Sequence, residues 1–251
     1  MTSFNIHTEN RFETNFQYFD KYRYLSLDEH VLYLIHTDSY LSDAISLFKK
    51  SLSDIELEKA SKFRFLEDQH RYIVTHATLR TILGSYLKTE PAEIEFISND
   101  FGKPSLSEKY EKIHFNLSHS KGISALAFST KSEIGIDIER IEPKFDFEMI
   151  ANSHFSKAEN HFLHAEKMES RNRFYTLWTR KEAFLKAVGI GIGENIGIEV
   201  FRKVNQFRQE MPLPGIQGGD FCLKTFLFQN QYLITSASRD ASEVSCQLID
   251  L

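Results

Sequence analysis

The sequence predicts an α+β fold, in which helices and short antiparallel strands occupy separate stretches of the chain. Residues 53–87 carry apolar side chains at helical spacing, whereas the middle and the last third hold short apolar runs separated by polar turns. Two Ser-x-x-Glu sequences, at Ser53 and Ser156, lie 103 residues apart and indicate two similar halves. With 251 residues, 41% of them hydrophobic, the chain is long enough to bury a large core.

Composition argues against several classes of function. The net charge of −5 disfavours a general nucleic-acid-binding protein, because the release of counterions from phosphates requires a basic surface. No apolar run approaches the roughly 20 residues that a membrane-spanning helix needs. Cys222 and Cys246 lack the spacing of a metal site, and the polar N-terminus lacks a signal-peptide pattern. We therefore expect a cytoplasmic protein with reduced thiols, no nucleic-acid partner and no membrane association.

The first half begins with a short apolar run at residues 31–35, which fits a buried strand. Ser53 and Glu56 then have the form of a capping box, which predicts the start of a helical region that continues to about residue 87. Pro91 ends this region, and residues 94–97 fit another short strand.

The middle of the chain predicts a small antiparallel sheet. Residues 101–104 form a turn that displays Lys103, because glycine and proline interrupt regular structure. Strands at 113–117 and 123–128 then flank a polar loop at 118–122. The strand at 134–139 follows directly, and we expect it to join the same sheet.

The strand at 134–139 carries the first candidate residues for chemistry. Its residues alternate, so that three isoleucines point to one face while Asp137 and Glu139 lie on the other, beside Gly135. Like charges at this spacing repel each other unless a cation lies between them, and Mg²⁺ prefers such oxygen ligands. The alternative is a solvated acidic face on a half-exposed strand.

The second half repeats the capping box and the long helix. Ser156 and Glu159 form the second box, and a strong helix follows from about residue 173 to residue 188. Glu182 and Lys186 are four residues apart and share one face of this helix. They form either a solvated ion pair or, if the helix and the acidic strand converge, a third carboxylate with a phosphate-binding lysine.

Ser118, His119 and Ser120 form a compact group of hydrogen-bond donors. No Gly-x-Ser-x-Gly turn surrounds either serine, so the sequence does not favour a nucleophilic triad. Hydroxyl, imidazole and loop amide groups suit the binding of anionic phosphate oxygens, with a plain polar turn as the alternative.

Four of these segments, taken in order, resemble the motifs of a known family. They are residues 101–104 (Phe-Gly-Lys-Pro), 115–120 (Phe-Asn-Leu-Ser-His-Ser), 135–139 (Gly-Ile-Asp-Ile-Glu) and 178–186 (Trp-Thr-Arg-Lys-Glu-Ala-Phe-Leu-Lys). With this order and these separations, the chain resembles the 4′-phosphopantetheinyl transferases of the larger, pseudo-dimeric type found with surfactin synthetase. The resemblance spans about residues 59–192.

The resemblance implies two similar α+β halves with coenzyme A bound in the cleft between them. Residues 1–125 would contact the coenzyme A phosphates and adenine, and residues 126–251 would carry the metal site and the catalytic helix. Such enzymes transfer 4′-phosphopantetheine from coenzyme A to a serine of an acyl or peptidyl carrier protein of fatty acid, polyketide or nonribosomal peptide biosynthesis, and they release adenosine 3′,5′-bisphosphate. We therefore expect a monomeric, Mg²⁺-dependent enzyme in which Mn²⁺ could replace Mg²⁺.

The resemblance also implies a role for each matching residue. Asp137 and Glu139 would bind the metal. Glu182 would be a third metal ligand, the base toward the carrier serine, or both, and Lys186 would bind a phosphate oxygen and offset charge on the leaving group. The remaining contacts to coenzyme A would come from Arg71, Gly102, Lys103, Pro104, Ser118 and His119. The residues of the 102–104 turn would lie near the adenine.

The sequence departs from the family pattern at three positions. Glu56 stands where several relatives carry a basic residue, Ile123 stands where many carry Trp, and Ile190 interrupts the usual Gly-Lys-Gly after the last helix. The positions implied for the metal and the base are intact. Two other functions are kept as alternatives: a non-catalytic coenzyme A- or nucleotide-binding module of the same fold, and a Mg²⁺-dependent phosphohydrolase.

Overall fold

The computed structural model describes residues 30–37, 42–110, 112–191, 197–200, 208–210, 220–239 and 244–249. Its helices and strands confirm the predicted α+β class. The helices are α1 (Ser42–Phe48), α2 (Asp54–Ser61), α3 (Leu66–Leu87), α4 (Glu148–His154), α5 (Lys157–His164) and α6 (Ser170–Val188). The strands are β1 (His30–His36), β2 (Phe96–Ser98), β3 (Pro104–Leu106), β4 (His114–Ser120), β5 (Ile123–Ser129), β6 (Ile134–Arg140), β7 (Arg208–Glu210), β8 (Asp220–Phe228), β9 (Tyr232–Ser238) and β10 (Val244–Ile249).

Both predicted capping boxes are present and begin helices. The Ser53 N–H donates to Glu56 Oε2 at 3.0 Å at the start of α2, and the Ser156 N–H donates to Glu159 Oε2 at 2.9 Å at the start of α5. Each reciprocal pair satisfies amide groups that a helix start leaves without intrahelical partners.

The helical region predicted from residue 53 to about residue 87 is two helices and not one. The chain turns between α2 and α3, where Phe65 has extended backbone angles. The turn lets the Gln69 side chain donate to the Ala60 carbonyl oxygen at 2.8 Å, and it brings Glu56 of α2 against Arg80 of α3. The hydrogen bond from Gln69 and the ion pair between Glu56 and Arg80 stabilise this arrangement of two helices.

The strands form two four-stranded sheets and a small hairpin. The first sheet has the order β10-β1-β5-β4, with β10 parallel to β1 and the other pairs antiparallel. The second sheet, β6-β9-β8-β7, is antiparallel throughout, and β2 pairs with β3.

Two predictions about the middle of the chain are wrong. The strand at 134–139 does not join the sheet of β4 and β5, because β6 pairs with β9 in the second sheet and packs its isoleucines against the face of the first. The polar loop predicted at 118–122 is shorter, since β4 continues to Ser120. Only Lys121 and Gly122 turn the chain, with φ of 22° and 83°, as two-residue hairpin turns require.

The core is layered, with a helix outside each sheet. One apolar cluster packs α3 against the first sheet, a second packs α6 against the second sheet, and a third lies between the sheets. In each half a strand is followed by a capping-box helix, a long helix and a hairpin whose second strand pairs with the first strand of that half. This repeated order agrees with the expected two similar halves.

The division of the chain into two halves, with a boundary between residues 125 and 126, stays a prediction. β10 follows the second half in sequence but pairs with β1 in the first sheet. Cys222 is buried, whereas the side chain of Cys246 lies outside the described part. Within the described ranges, no helix combines the length and apolar character needed to cross a bilayer.

Candidate active site

The site is built where the edges of the two sheets meet. β4 is the edge strand of the first sheet and β6 is the edge strand of the second. Alternate side chains of β4, namely Asn116, Ser118 and Ser120, reach β6 and hydrogen-bond to residues between Ile136 and Arg140. We call this set of contacts the seam.

Helix α6 lies directly on β6 because Gly135 has no side chain. A Cβ atom at this position would collide with the carbonyl oxygen of Ala183 and the amide nitrogen of Ala187. The close approach places the face of α6 that carries Glu182 and Lys186 over the acidic face of β6. The helix and the strand therefore converge, which the functional interpretation of Glu182 and Lys186 required.

Asp137 is the centre of the site. Its carboxylate is 3% exposed, and its Oδ1 accepts hydrogen bonds from Lys186 Nζ at 2.7 Å and from Ser118 Oγ at 2.9 Å. Lys186 Nζ also donates to Ser118 Oγ at 3.0 Å and lies 3.9 Å from Glu182 Oε2. The second carboxylate oxygen, Asp137 Oδ2, is buried and has no hydrogen-bond partner among the described residues, a costly state for a charged group.

The charge of Asp137 raises the pKa of both neighbouring glutamates. Burial and the charge of Asp137 raise the pKa of Glu139 to about 7, although Ser120, Lys186 and Trp178 act in the opposite direction. Burial, Asp137 and Glu139 together raise the pKa of Glu182 to about 7. Burial alone would lower the pKa of Lys186, but Asp137 and Glu182 outweigh it and the net shift is upward. The ammonium group of Lys186 therefore lies near three carboxyl groups, and its single charge does not balance their negative charge near neutral pH.

The donor set fits a hard divalent cation. In the described ranges, no three His, Cys, Asp or Glu side chains lie close enough to hold a metal ion as they stand. However, Asp137 Oδ2 lacks a partner and both glutamates hold protons more tightly than usual. A cation among these oxygens would relieve both conditions, and carboxylate oxygens with open positions for water and phosphate suit Mg²⁺.

A group of cationic and polar side chains lies beside the carboxylates. Arg71 donates to Asp68 at 3.0 Å, while its buried Nε has no hydrogen-bond partner in the part of the chain that the structure describes. His119 is exposed, but partial desolvation and the positive charges of Arg71 and Lys186 lower its pKa. Ser118 thus lies at the acidic centre, and His119 lies within electrostatic range of both Arg71 and Lys186.

The 101–104 turn lies at the C-terminal end of α6, next to the turn of helix that carries Lys186. Lys103 Nζ donates to Glu133 Oε2 at 2.6 Å and to the Ala187 carbonyl oxygen at 3.0 Å. Although Glu133 is partly buried, hydrogen bonds from His114 and Lys103 lower its pKa to about 2. The Lys103 charge is therefore already balanced by protein groups.

The other two residues of this turn are placed by its backbone. Gly102 has a φ of 81°, which favours glycine, and Pro104 begins β3. The location of Gly102, Lys103 and Pro104 near adenine stays a prediction.

The departures at Glu56 and Ile123 have structural explanations. Glu56 Oε2 accepts from Ser53 and Arg80, and its Oε1 lies 3.1 Å from His76 Nδ1. Despite burial, these partners lower the pKa of Glu56 to about 2. Ile123 is 1% exposed in the core between the sheets. Both side chains therefore have structural roles in the folded protein.

Sequence reasoning missed two residues of the seam. Ser120 donates to Glu139 Oε2 at 3.0 Å, and Asn116 Oδ1 accepts from the Ile136 N–H at 2.9 Å. The signal was present, because Asn116, Ser118 and Ser120 alternate with the apolar Phe115 and Leu117 at the period of a strand.

Comparison with known protein families gives two adjacent matches. Residues 41–131 match the family model described as 4′-phosphopantetheinyl transferase, N-terminal. Residues 133–237 match the model of the 4′-phosphopantetheinyl transferase superfamily. The join between the matches lies beside the seam, between β5 and β6.

Individual relatives show the same likeness. The 4′-phosphopantetheinyl transferase Sfp of Bacillus subtilis is 34% identical over 163 residues, which are 64% of this chain and 71% of Sfp. The 4′-phosphopantetheinyl transferase HetI of Nostoc sp. is 37% identical over 153 residues, or 60% of this chain and 65% of HetI. A phosphopantetheinyl transferase of Thraustochytrium sp. is 33% identical over 156 residues, covering 57% of this chain and 54% of that protein. The chain thus spans less than two thirds of two of these three relatives.

Proposed function

Because the chain belongs to the 4′-phosphopantetheinyl transferase family, we propose that it transfers the 4′-phosphopantetheine of coenzyme A to a serine of an apo acyl or peptidyl carrier protein and releases adenosine 3′,5′-bisphosphate. The relatives' names support the transfer of phosphopantetheine. The donor, the acceptor and the second product belong to this proposal.

The observation that carries the proposal is the environment of Asp137. One oxygen of this buried carboxylate accepts hydrogen bonds from Lys186 and Ser118, and the described ranges supply no partner for the other. Glu139 and Glu182 lie close enough to have raised pKa values. Such a centre can bind a cation and a charged phosphate side by side, which transfer from a pyrophosphate requires.

The transfer needs no protein nucleophile. The carrier serine Oγ attacks the phosphorus that bears the pantetheine arm, a new P–O bond forms, and the P–O bond to the adenosine bisphosphate breaks. Glu182 accepts the proton of the serine hydroxyl, since its carboxylate lies 3.9 Å from Lys186 Nζ, at the centre where the phosphate would bind. Lys186 offsets the negative charge that develops on the leaving oxygen.

Asp137, Glu139 and Glu182 would hold Mg²⁺, with Mn²⁺ as a substitute. The metal would supply electrophilic stabilisation of the pyrophosphate oxygens. The Lys186 ammonium now lies on Asp137 Oδ1, so in this proposal it transfers part of its hydrogen bonding to a phosphate oxygen when the substrate binds.

The phosphates of coenzyme A would be bound by Arg71, Ser118 and His119, which lie on the first-half side of the seam. The turn of Gly102, Lys103 and Pro104 would contact the adenine. In this arrangement residues 1–125 supply the coenzyme contacts and residues 126–251 supply the metal site, within a cytoplasmic monomer.

The test is direct. The protein is incubated with coenzyme A, Mg²⁺ and a panel of apo carrier proteins, and each carrier is analysed by intact-protein mass spectrometry for a phosphopantetheine adduct on serine. We expect an adduct on at least one carrier and none after EDTA is added. No adduct on any carrier would overturn the proposal. Release of phosphopantetheine without a carrier would indicate a phosphohydrolase, and coenzyme A binding without turnover would indicate a binding module.

A further inference from the structure

The seam joins two sheet edges by side chains and not by a strand ladder. β4 and β6 belong to different sheets. Two backbone amides of β6, at Ile136 and Arg140, donate to side chains of β4, namely Asn116 Oδ1 at 2.9 Å and Ser120 Oγ at 3.0 Å. Polar side chains of the first half therefore accept hydrogen bonds from backbone amides on the edge strand of the second sheet.

Ser120 makes two hydrogen bonds at once. Its oxygen accepts the Arg140 N–H, and its hydroxyl donates to Glu139 Oε2 at 3.0 Å. A serine hydroxyl has one proton, so the acceptance of a backbone N–H leaves that proton directed at the carboxylate. This arrangement fixes one oxygen of Glu139 and restricts the rotation of the carboxylate.

Asn116 provides the contrast. It is 5% exposed and accepts the Ile136 N–H in the same way. It contacts the backbone between the site residues, and no bond from Asn116 to a carboxylate is found in the described part of the chain. Both residues thus connect the two sheets, but of these two only Ser120 forms a hydrogen bond with a carboxylate of the site.

We infer that Ser120 is a positioning residue that holds Glu139 in the geometry of a divalent cation ligand, so that the first half of the chain sets the cation affinity of the second. The inference rests on the proposed function, because it assigns the cation to the same carboxylates. Residues that orient a metal ligand through a hydrogen bond typically contribute about 10–100-fold to metal affinity.

The experiment compares three variants by a readout independent of turnover. Metal-free protein is titrated with Mn²⁺, and free Mn²⁺ is measured by its EPR signal. Ser120→Ala should weaken Mn²⁺ binding by about 10-fold or more. Ser120→Thr retains the hydroxyl and should restore binding to within about 3-fold of wild type.

Asn116→Ala is the matched control. It also removes an acceptor for a β6 amide, so its melting temperature should fall at least as far as that of Ser120→Ala, with Mn²⁺ affinity close to wild type. The Mg²⁺ concentration for half-maximal transfer should rise for Ser120→Ala, with the KM for coenzyme A little changed.

The outcomes separate the two proposals. Unchanged Mn²⁺ affinity in Ser120→Ala, or equal losses in Ser120→Ala and Asn116→Ala, would overturn the inference even if wild-type protein modifies a carrier. A wild-type protein that binds no Mn²⁺ would overturn it as well. If wild-type protein binds Mn²⁺ and Ser120→Ala weakens that binding, but no carrier is modified, only the proposed function would be overturned.

Discussion

At the scale of single residues, the site depends on the imbalance of charge around Asp137. The described residues donate two hydrogen bonds to Oδ1 and none to Oδ2, so only one oxygen of this buried carboxylate is satisfied. Proteins seldom leave a buried charge in this state unless a ligand completes it. The imbalance therefore gives Asp137 and its neighbours their expected sensitivity to substitution and to pH.

Asp137→Ala and Glu182→Gln should each lower the rate of carrier modification by at least about 100-fold, since one removes a charged ligand and the other a proton acceptor. Initial rates measured by mass spectrometry would test this, with far-UV circular dichroism to check the fold. Glu58→Gln, in an exposed pair with Lys62, is the control and should be fully active. Wild-type rates in either site variant would remove its assigned role.

Glu139 and Glu182 should each make the metal-free protein less stable as pH rises from about 4.5 to about 7. Glu139 and Glu182 have pKa values near 4.5 when unfolded and about 7 when folded. Between these values the folded state binds more protons than the unfolded chain, so each increase in pH favours unfolding. Urea denaturation in EDTA at several pH values would measure the trend.

Glu182→Gln removes one of these two groups and should flatten that pH dependence. Saturating Mg²⁺ should also oppose the loss of stability, because the cation binds the ionised carboxylates. A pH dependence in Glu182→Gln as steep as that of the wild-type protein in EDTA would contradict the pKa assignment of Glu182.

At the scale of elements, the contact between β6 and α6 decides whether the site forms. The pair approaches so closely at Gly135 that main-chain atoms of α6 occupy the space of a side chain. Close approach of a helix to a strand usually needs glycine for this reason. Glu182 and Lys186 reach Asp137 only at this separation.

Gly135→Ala should therefore destabilise the fold by about 3 kcal/mol or more and abolish transfer, because α6 would have to move away from β6. Gly197→Ala is the matched control, since a Cβ there meets no atom of the described residues within 4 Å. Its effect on stability should be within about 0.5 kcal/mol. Urea denaturation of both variants would measure the difference, and equal stabilities would show that α6 can move away from β6 without a loss of stability.

The elements also show what sequence could and could not predict. The capping boxes at Ser53 and Ser156 predicted two helix starts, because their bonds are local. The sheet partner of β6 was wrongly predicted, because β9 lies far along the chain and no local pattern specifies that pairing. Ser120 was missed as a seam residue because its role depends on a strand edge of the other sheet.

At the scale of the whole molecule, the two halves are not separate in sequence. β10 follows all elements of the second half but pairs in parallel with β1, from His30 opposite Val244 to Ile35 opposite Ile249. The first sheet is complete only when both ends of the described chain meet. Such long-range pairing slows folding, since the ends must be brought together before their contacts form.

Deletion of residues 244–251 should therefore weaken the first half, although the deleted strand follows the second. The loss of the β1–β10 hydrogen bonds should cost about 3 kcal/mol or more and lower the melting temperature by about 6–12 °C. Deletion of residues 250–251 alone leaves the strand in place and is the control. Calorimetry would compare the two, and equal melting temperatures would contradict this role of β10.

The seam has a consequence for solubility as well as for chemistry. An open strand edge is a template for pairing with other molecules, and proteins protect such edges with polar side chains or a covering element. Here Asn116 and Ser120 accept hydrogen bonds from amides of β6 that could otherwise form a strand pair with another molecule. The residues that align the two halves thus also guard against aggregation, so selection for a soluble protein and selection for an assembled site act on the same few side chains.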